Sequence, residues 1–122
     1  MTQEEKDLLV KDLCPRLPYG VVCQVDDGAA GLNDGKLVEI DISKELVRFD
    51  ADYYWDAYID DIKPYLFPMS NMTEEQKEDM IKSSVGIGSD KNVFDWYNKN
   101  HFDYRGLIPM GLANDASRLN IY

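Results

Sequence analysis

The chain has 122 residues, which is one domain by size and long enough to bury a core without metal or disulfide staples. Asp and Glu number 23 against 13 Lys and Arg, a formal charge of -10 that repels phosphate backbones and disfavours direct nucleic-acid binding. A hydrophobic content of 44% argues against global disorder, and no apolar run approaches the roughly 20 residues of a membrane helix.

The first residues, "MTQEEKDLLVKD", lack the basic start and apolar middle of a secretion signal, so a cytoplasmic protein with no membrane contact is expected. Thr2 and Glu5 have capping-box spacing, and Leu9, Val10 and Leu13 form an apolar stripe. A helix is predicted over residues 3–13, stopped by Pro15 and Pro18. From Tyr19 the period becomes two. Val21, Cys23 and Val25 share one strand face; Val38, Ile40 and Ile42 share another, with Glu39 and Asp41 turned away. Val47, Phe49 and Ala51 are expected inward against Arg48 and Asp50. These read as antiparallel strands, joined by a glycine-rich loop in which Asn33, Asp34 and Gly35 look like turn chemistry, and then by a short hairpin around "SKE". The loop lacks the alternating acids and closing Glu of a calcium-binding hand.

Residues 50–62, "DADYYWDAYIDDI", hold five aspartates and four large aromatics. The strand period puts Tyr53, Trp55, Ala57 and Ile59 on one face and Asp52, Tyr54, Asp56, Tyr58 and Asp60 on the other. Asp52 and Asp56 would then stand about 13 Å apart, too far to chelate one cation unaided. The acids are read as a solvated face that discourages edge pairing. Tyr54 and Tyr58, with Asp56 between them, are the candidate binding residues, because aromatics flanked by acids suit a protein-binding surface, though tyrosine is also at home on the solvent side of a strand and that plain reading leads.

Thr73 and Gln76 form a second capping box, opening a helix over residues 74–84 that Gly86 ends. Ser89 or Asp90 can cap a further helix whose apolar face is Val93, Trp96 and Tyr97, with Phe94 at its edge. After it, two glycines and Pro109 predict turns and extended pieces anchored by Leu107, Ile108, Met110 and Leu112.

No arrangement of residues announces catalysis. Cys14 and Cys23 lack zinc-ligand spacing; two reduced, packed thiols are favoured over a disulfide between them, and neither looks like a nucleophile for His101. His101 is read first as structural, a cation complementing a helix C-terminus, and only second as a general base. Arg105 is read as one arm of a buried arginine–carboxylate fork that locks the C-terminal segment, with a ligand-binding arginine as the alternative. No metal site, cofactor or catalytic residue is expected.

The strand order, with "IDDIKPYL" supplying a helical turn after the fourth strand, resembles a small barrel of the Src-homology-3 type over residues 19–68. The strings "KDLCPRLPYGV", "DDIKPYLFPMSNMTEEQ" and "NKNHFDYRGLIPMGLA" resemble a family of small uncharacterised proteins from gut bacteria and their phages and mobile elements. That resemblance implies an accessory protein and carries no assigned activity. The expected architecture is therefore α+β in a single domain, residues 1–122: an N-terminal helix, a small antiparallel sheet or half-open barrel within residues 19–68, and two C-terminal helices with a tail over residues 73–122. The leading functional expectation is a non-enzymatic module that binds an unknown protein partner. An acidic decoy that inhibits a nucleic-acid-binding protein is the alternative, and a small hydrolase comes last.

Overall fold

The structure, a computed structural model, describes residues 1–28, 31–50, 55–86 and 89–122, with the backbone alone at Trp55 and Ser89. It is α+β. Helix α1 (Gln3–Leu13) opens with the anticipated box: Thr2 Oγ1 accepts from Glu5 N at 3.1 Å and Glu5 Oε1 accepts from Thr2 N at 2.8 Å. The prolines do not end the helical path. They tighten it into 3-10 turns over Cys14–Tyr19, which keep Arg16 turned inward until Gly20 reverses the chain at φ 69°.

Six strands follow: β1 (Val22–Asp26), β2 (Leu32–Asp41), β3 (Leu46–Asp50), β4 (Trp55–Tyr58), β5 (Ile62–Leu66) and, near the C-terminus, β6 (Asn114–Asp115). Their order is β4-β3-β2-β1-β5-β6 in an open sheet. All pairings are antiparallel except β5 with β6, so the sheet is mixed where a purely antiparallel one was expected. Phe67 and Phe102 add a further parallel bridge that ties the tail beside β5.

Two details of β2 depart from the expected pattern. Asn33, Asp34 and Gly35 are not turn residues; they pair with Val25, Gln24 and Cys23. Gly28 (φ 65°) and Gly31 (φ 90°) already close the turn between β1 and β2, with Asp27 N donating to Gly31 O at 2.9 Å, so the residues beyond are free to extend the ladder. The face predicted for Val38, Ile40 and Ile42 is also broken. Leu37 pairs with Phe49 and Glu39 with Arg48, which leaves Val38 as the extra residue of a bulge. Before the bulge Gly35 and Leu37 point inward, and after it Ile40 does, partly buried; Val38 is 38% exposed and Ile42 65%. The core accordingly takes Leu37 in place of Val38, alongside Leu9 and Leu13 of α1, Val21, Cys23 and Val25, Val47 and Phe49, Ile59 and Ile62, Leu66, Leu107 and Leu112.

Helix α2 (Glu74–Ser83) carries its capping box at Thr73 and Gln76 but buries no residue; Trp96 of α3 (Ser89–Lys99) reaches it by donating from Nε1 to Asp79 at 2.8 Å. Asp90 lies in the first turn of α3, not at its cap. On α3, Trp96 is buried, Val93 and Tyr97 are half-buried and Phe94 is 49% exposed. In the tail Leu107 and Leu112 are buried, Ile108 is half-buried, and Met110, expected as an anchor, is exposed. Tyr122 fastens the end: its hydroxyl donates to Tyr65 O at 2.7 Å and accepts from Val22 N at 2.9 Å. The inward positions expected for Ala51, Tyr53 and the Trp55 side chain, and the outward ones for Asp52 and Tyr54, lie outside the described residues.

The bulge makes adjacent residues opposite in consequence. Leu37→Ala should cost about 2–5 kcal/mol by urea unfolding, as a large-to-small change in a filled core. Val38→Ala should stay within about 0.5 kcal/mol, as a surface change does. A large loss at Val38 with little at Leu37 would restore the unbroken alternation.

Candidate functional site

The acidic aromatic segment keeps the phase read from its sequence from Asp56 to Asp60: Ile59 is buried, Ala57 is half-buried, and Asp56, Tyr58 and Asp60 are exposed, while the 3-10 turn Ile59–Asp61 then shifts it, leaving Asp61 exposed and Ile62 buried. Tyr58 is 61% exposed at the end of β4. Asp56 is less available than expected, because Arg48 on β3 donates from Nε to its carboxylate at 2.9 Å while also reaching Glu39 at 3.3 Å. Tyr54, the other candidate, lies outside the described residues.

The chain passes from β4 through a 3-10 turn, Ile59–Asp61, directly into β5, whose Ile62 pairs with Val25 of β1. That short connection coils the sheet until the far end of β1 approaches β4, although two strands separate them in the hydrogen-bonded order. Between them lies a cleft of about 470 Å³ lined by Val25, Asp26, Asp27, Asp56, Tyr58 and Asp61, with no Lys or Arg among its lining residues. Asp26 is occupied in part by Gly28 N at 3.0 Å, whereas no described residue pairs with the carboxylates of Asp27 or Asp61. Among the described residues, no group of three or more His, Cys, Asp or Glu side chains is placed to hold a metal ion.

His101 sits where α3 stops. Phe102 N donates to Tyr97 O at 3.0 Å and His101 N to Asn98 O at 3.3 Å, the paired bonds of a Schellman stop, with His101 at φ 63° in the position usually given to glycine. Its ring stacks on Tyr122 with centroids 3.6 Å apart, and no hydrogen bond engages Nδ1. Burial first, and the nearby Arg16 guanidinium second, hold its pKa down to about 4. The imidazole is neutral at pH 7, which overturns its expected role as a cation at the helix end. Burial likewise raises the pKa of both thiols, most strongly at Cys23, so neither offers the thiolate that a Cys–His pair requires.

The fork expected of Arg105 belongs mainly to another arginine. Arg16, fully buried, donates from Nε to Asp12 Oδ2 at 3.0 Å and from Nη2 to Asp12 Oδ1 at 3.2 Å, and the same Nη2 donates to Phe102 O at 2.7 Å. Arg105 comes second: its Nε lies 3.3 Å from Asp12 Oδ1, an ion pair without hydrogen-bond alignment, and its side chain is 24% exposed. Both guanidinium groups lie over the Tyr104 ring, at 5.2 and 5.1 Å from its centroid. Asp103, the neighbour of Arg105 in sequence, instead accepts from the amides of Leu107 at 2.8 Å and Ile108 at 2.9 Å. Asp12 and Arg16 were missed as a pair, yet they carry a signal: Leu9, Asp12, Leu13 and Arg16 fall on one helical stripe, so opposite charges four residues apart share the apolar face.

Two outcomes test this arrangement. Asp12→Ala leaves Arg16 buried without its carboxylate and should cost about 3–5 kcal/mol in urea unfolding; a loss below about 1 kcal/mol would mean that water reaches the pair. His101 binds its proton near pH 4 in the folded chain but near its ordinary 6.5 when unfolded, so protonation favours the unfolded chain. Its contribution is complete above pH 6.5 and is lost as the pH falls from there toward 4. Unfolding midpoints should decline across that window, and His101→Asn, which tolerates the left-handed backbone, should flatten the decline. An unchanged slope would show that the ring titrates normally.

No protein-family model, no curated protein and no solved structure matches the chain, so its functional reading rests on its own residues.

Proposed function

We propose that this chain is a non-enzymatic interaction module that docks an extended basic segment of a protein partner in the cleft beside Tyr58. The observation that carries this reading is an aromatic side chain 61% exposed in a cleft whose charged lining is wholly aspartate. A Lys or Arg of the partner would pair with the free carboxylates of Asp27 and Asp61 while its stem or a neighbouring apolar group covers the Tyr58 ring. Tyr54 would extend the same face by strand period. The 3-10 turn joining β4 to β5, and the pairing of β5 with β1, support likeness to a small barrel of the Src-homology-3 type, left open. An accessory role in a phage or mobile element, inside the host cytoplasm, is the context in which we place it; among the described residues no helix is long and apolar enough to cross a membrane.

A second reading is favoured by the charge of -10, that of an acidic decoy occupying the basic site of a nucleic-acid-binding protein. The hydrolase reading is not carried forward, since no hydrogen bond joins the His101 ring to a carboxylate among the described residues.

Affinity capture from a lysate at rising salt separates the two readings when run with wild type, Tyr58→Ala and a double Asp27→Asn, Asp61→Asn variant. The docking reading expects a partner retained as salt rises and lost, by about tenfold in yield, with Tyr58→Ala. A partner lost steeply with salt but indifferent to Tyr58→Ala supports the decoy. Capture that resists salt and is unchanged in both variants, or none at any salt, refutes both readings.

A further inference from the structure

A second groove, of about 710 Å³, is lined by Leu8, Pro15, Lys91, Phe94, Asp95, Asn98, Tyr104 and Arg105, and shares no residue with the acidic cleft. Its volume falls within the roughly 300–1,000 Å³ of small-molecule sites. Its electrostatics run against those of the rest of the protein. Among the described residues Asp12 is the single carboxylate held by two guanidinium groups, and Arg16 takes both of its oxygens. Counting the groove with the groups behind it, Arg16, Arg105 and Lys91 face Asp12 and Asp95, leaving one positive charge in excess on a chain of formal charge -10.

Three donors at this groove have no protein acceptor among the described residues. The terminal nitrogens of Arg105 make no hydrogen bond, Lys91 makes no ion pair, and Asn98 Nδ2 makes no hydrogen bond. The Asn98 amide is held in place because its Oδ1 accepts from the Tyr104 hydroxyl at 2.9 Å, which leaves Nδ2 as the free donor. The remaining walls are apolar and aromatic: Leu8, Pro15, the Tyr104 ring and Phe94, whose ring lies 5.2 Å from that of Tyr104 and is 49% exposed.

We infer that this groove binds a small organic oxyanion, a flat apolar body carrying a carboxylate or phosphate. The oxyanion takes the free guanidinium edge of Arg105, with Lys91 and Asn98 Nδ2 as further donors, and the flat body lies against Phe94 and Tyr104. Asp95 on the rim repels a second negative charge, which favours singly charged or extended anions over compact polyanions. The proposal is independent of the docking cleft.

Phenyl phosphate and benzoate, titrated into the full chain with phenol and inorganic phosphate as controls, test it by heteronuclear NMR. Saturable shifts are expected at the Asn98 side-chain amide and at Arg105 and Phe94 with at least one aryl anion, with affinity about tenfold above that of either control, as each control lacks one half of the recognition. Arg105→Met and Phe94→Ala should each weaken binding by about tenfold. Phe94 is half exposed, so its variant remains informative should the arginine variant fail to fold. The site is overturned by the absence of shifts at these residues at millimolar probe, by inorganic phosphate matching phenyl phosphate, or by undiminished binding in the Phe94 variant.

Discussion

The buried pair of Arg16 and Asp12 is the constraint on which the arrangement of the other parts depends. Two charges removed from water are costly, and only near-ideal geometry offsets that cost. Here a two-pronged contact is supplemented by the carbonyl of Phe102, 86 residues further along the chain. The third contact joins the two ends of the molecule. It holds the turn after α3 against the 3-10 segment that continues α1, and so determines where Tyr104, Arg105 and His101 stand. The depressed pKa of His101 owes its second cause to the same guanidinium.

Local signals in the sequence were legible wherever local chemistry decides the outcome. Both capping boxes formed as their spacing indicated, because the reciprocal bonds need only residues three apart. Strand alternation held at Val21, Cys23 and Val25 and at Val47 and Phe49. It failed at Val38, where both Leu37 and Val38 are apolar and the period alone cannot say which one the bulge will turn outward. Asn33, Asp34 and Gly35 misled for a related reason. Their intrinsic preference for turns is small beside the ladder bonds and the 2.6 Å bond that Tyr65 donates to Asp34 across 31 residues.

The functional regions divide in the same manner. Exposure of Tyr58 follows from its place on the outer face of a strand, and the period exposes that directly. The partial capture of Asp56 by Arg48 depends on the neighbouring strand and its register. Arg105 was recognised as a carboxylate partner, but the identity of the carboxylate lay 93 positions away on α1, beyond any motif. What the sequence did contain, and what sorting by secondary structure passed over, was a charged pair in an apolar stripe. Such a pair signals a buried ionic contact wherever the helix face around it is otherwise core.

Tyr122 closes the molecule in a particular order. Its hydroxyl bridges β1 and β5, and its contact with Val22 spans 100 residues. During synthesis, therefore, the exposed amide of the first strand waits for a residue 100 positions later to emerge before it gains that partner. The ladder of β1 with β2 can form early from nearby residues, whereas the clasp that covers His101 and joins the tail to the sheet belongs to the last stage of folding. Until then the growing chain carries an open strand margin, and its aspartate-rich outer faces, which repel one another between copies, protect it from pairing with its neighbours.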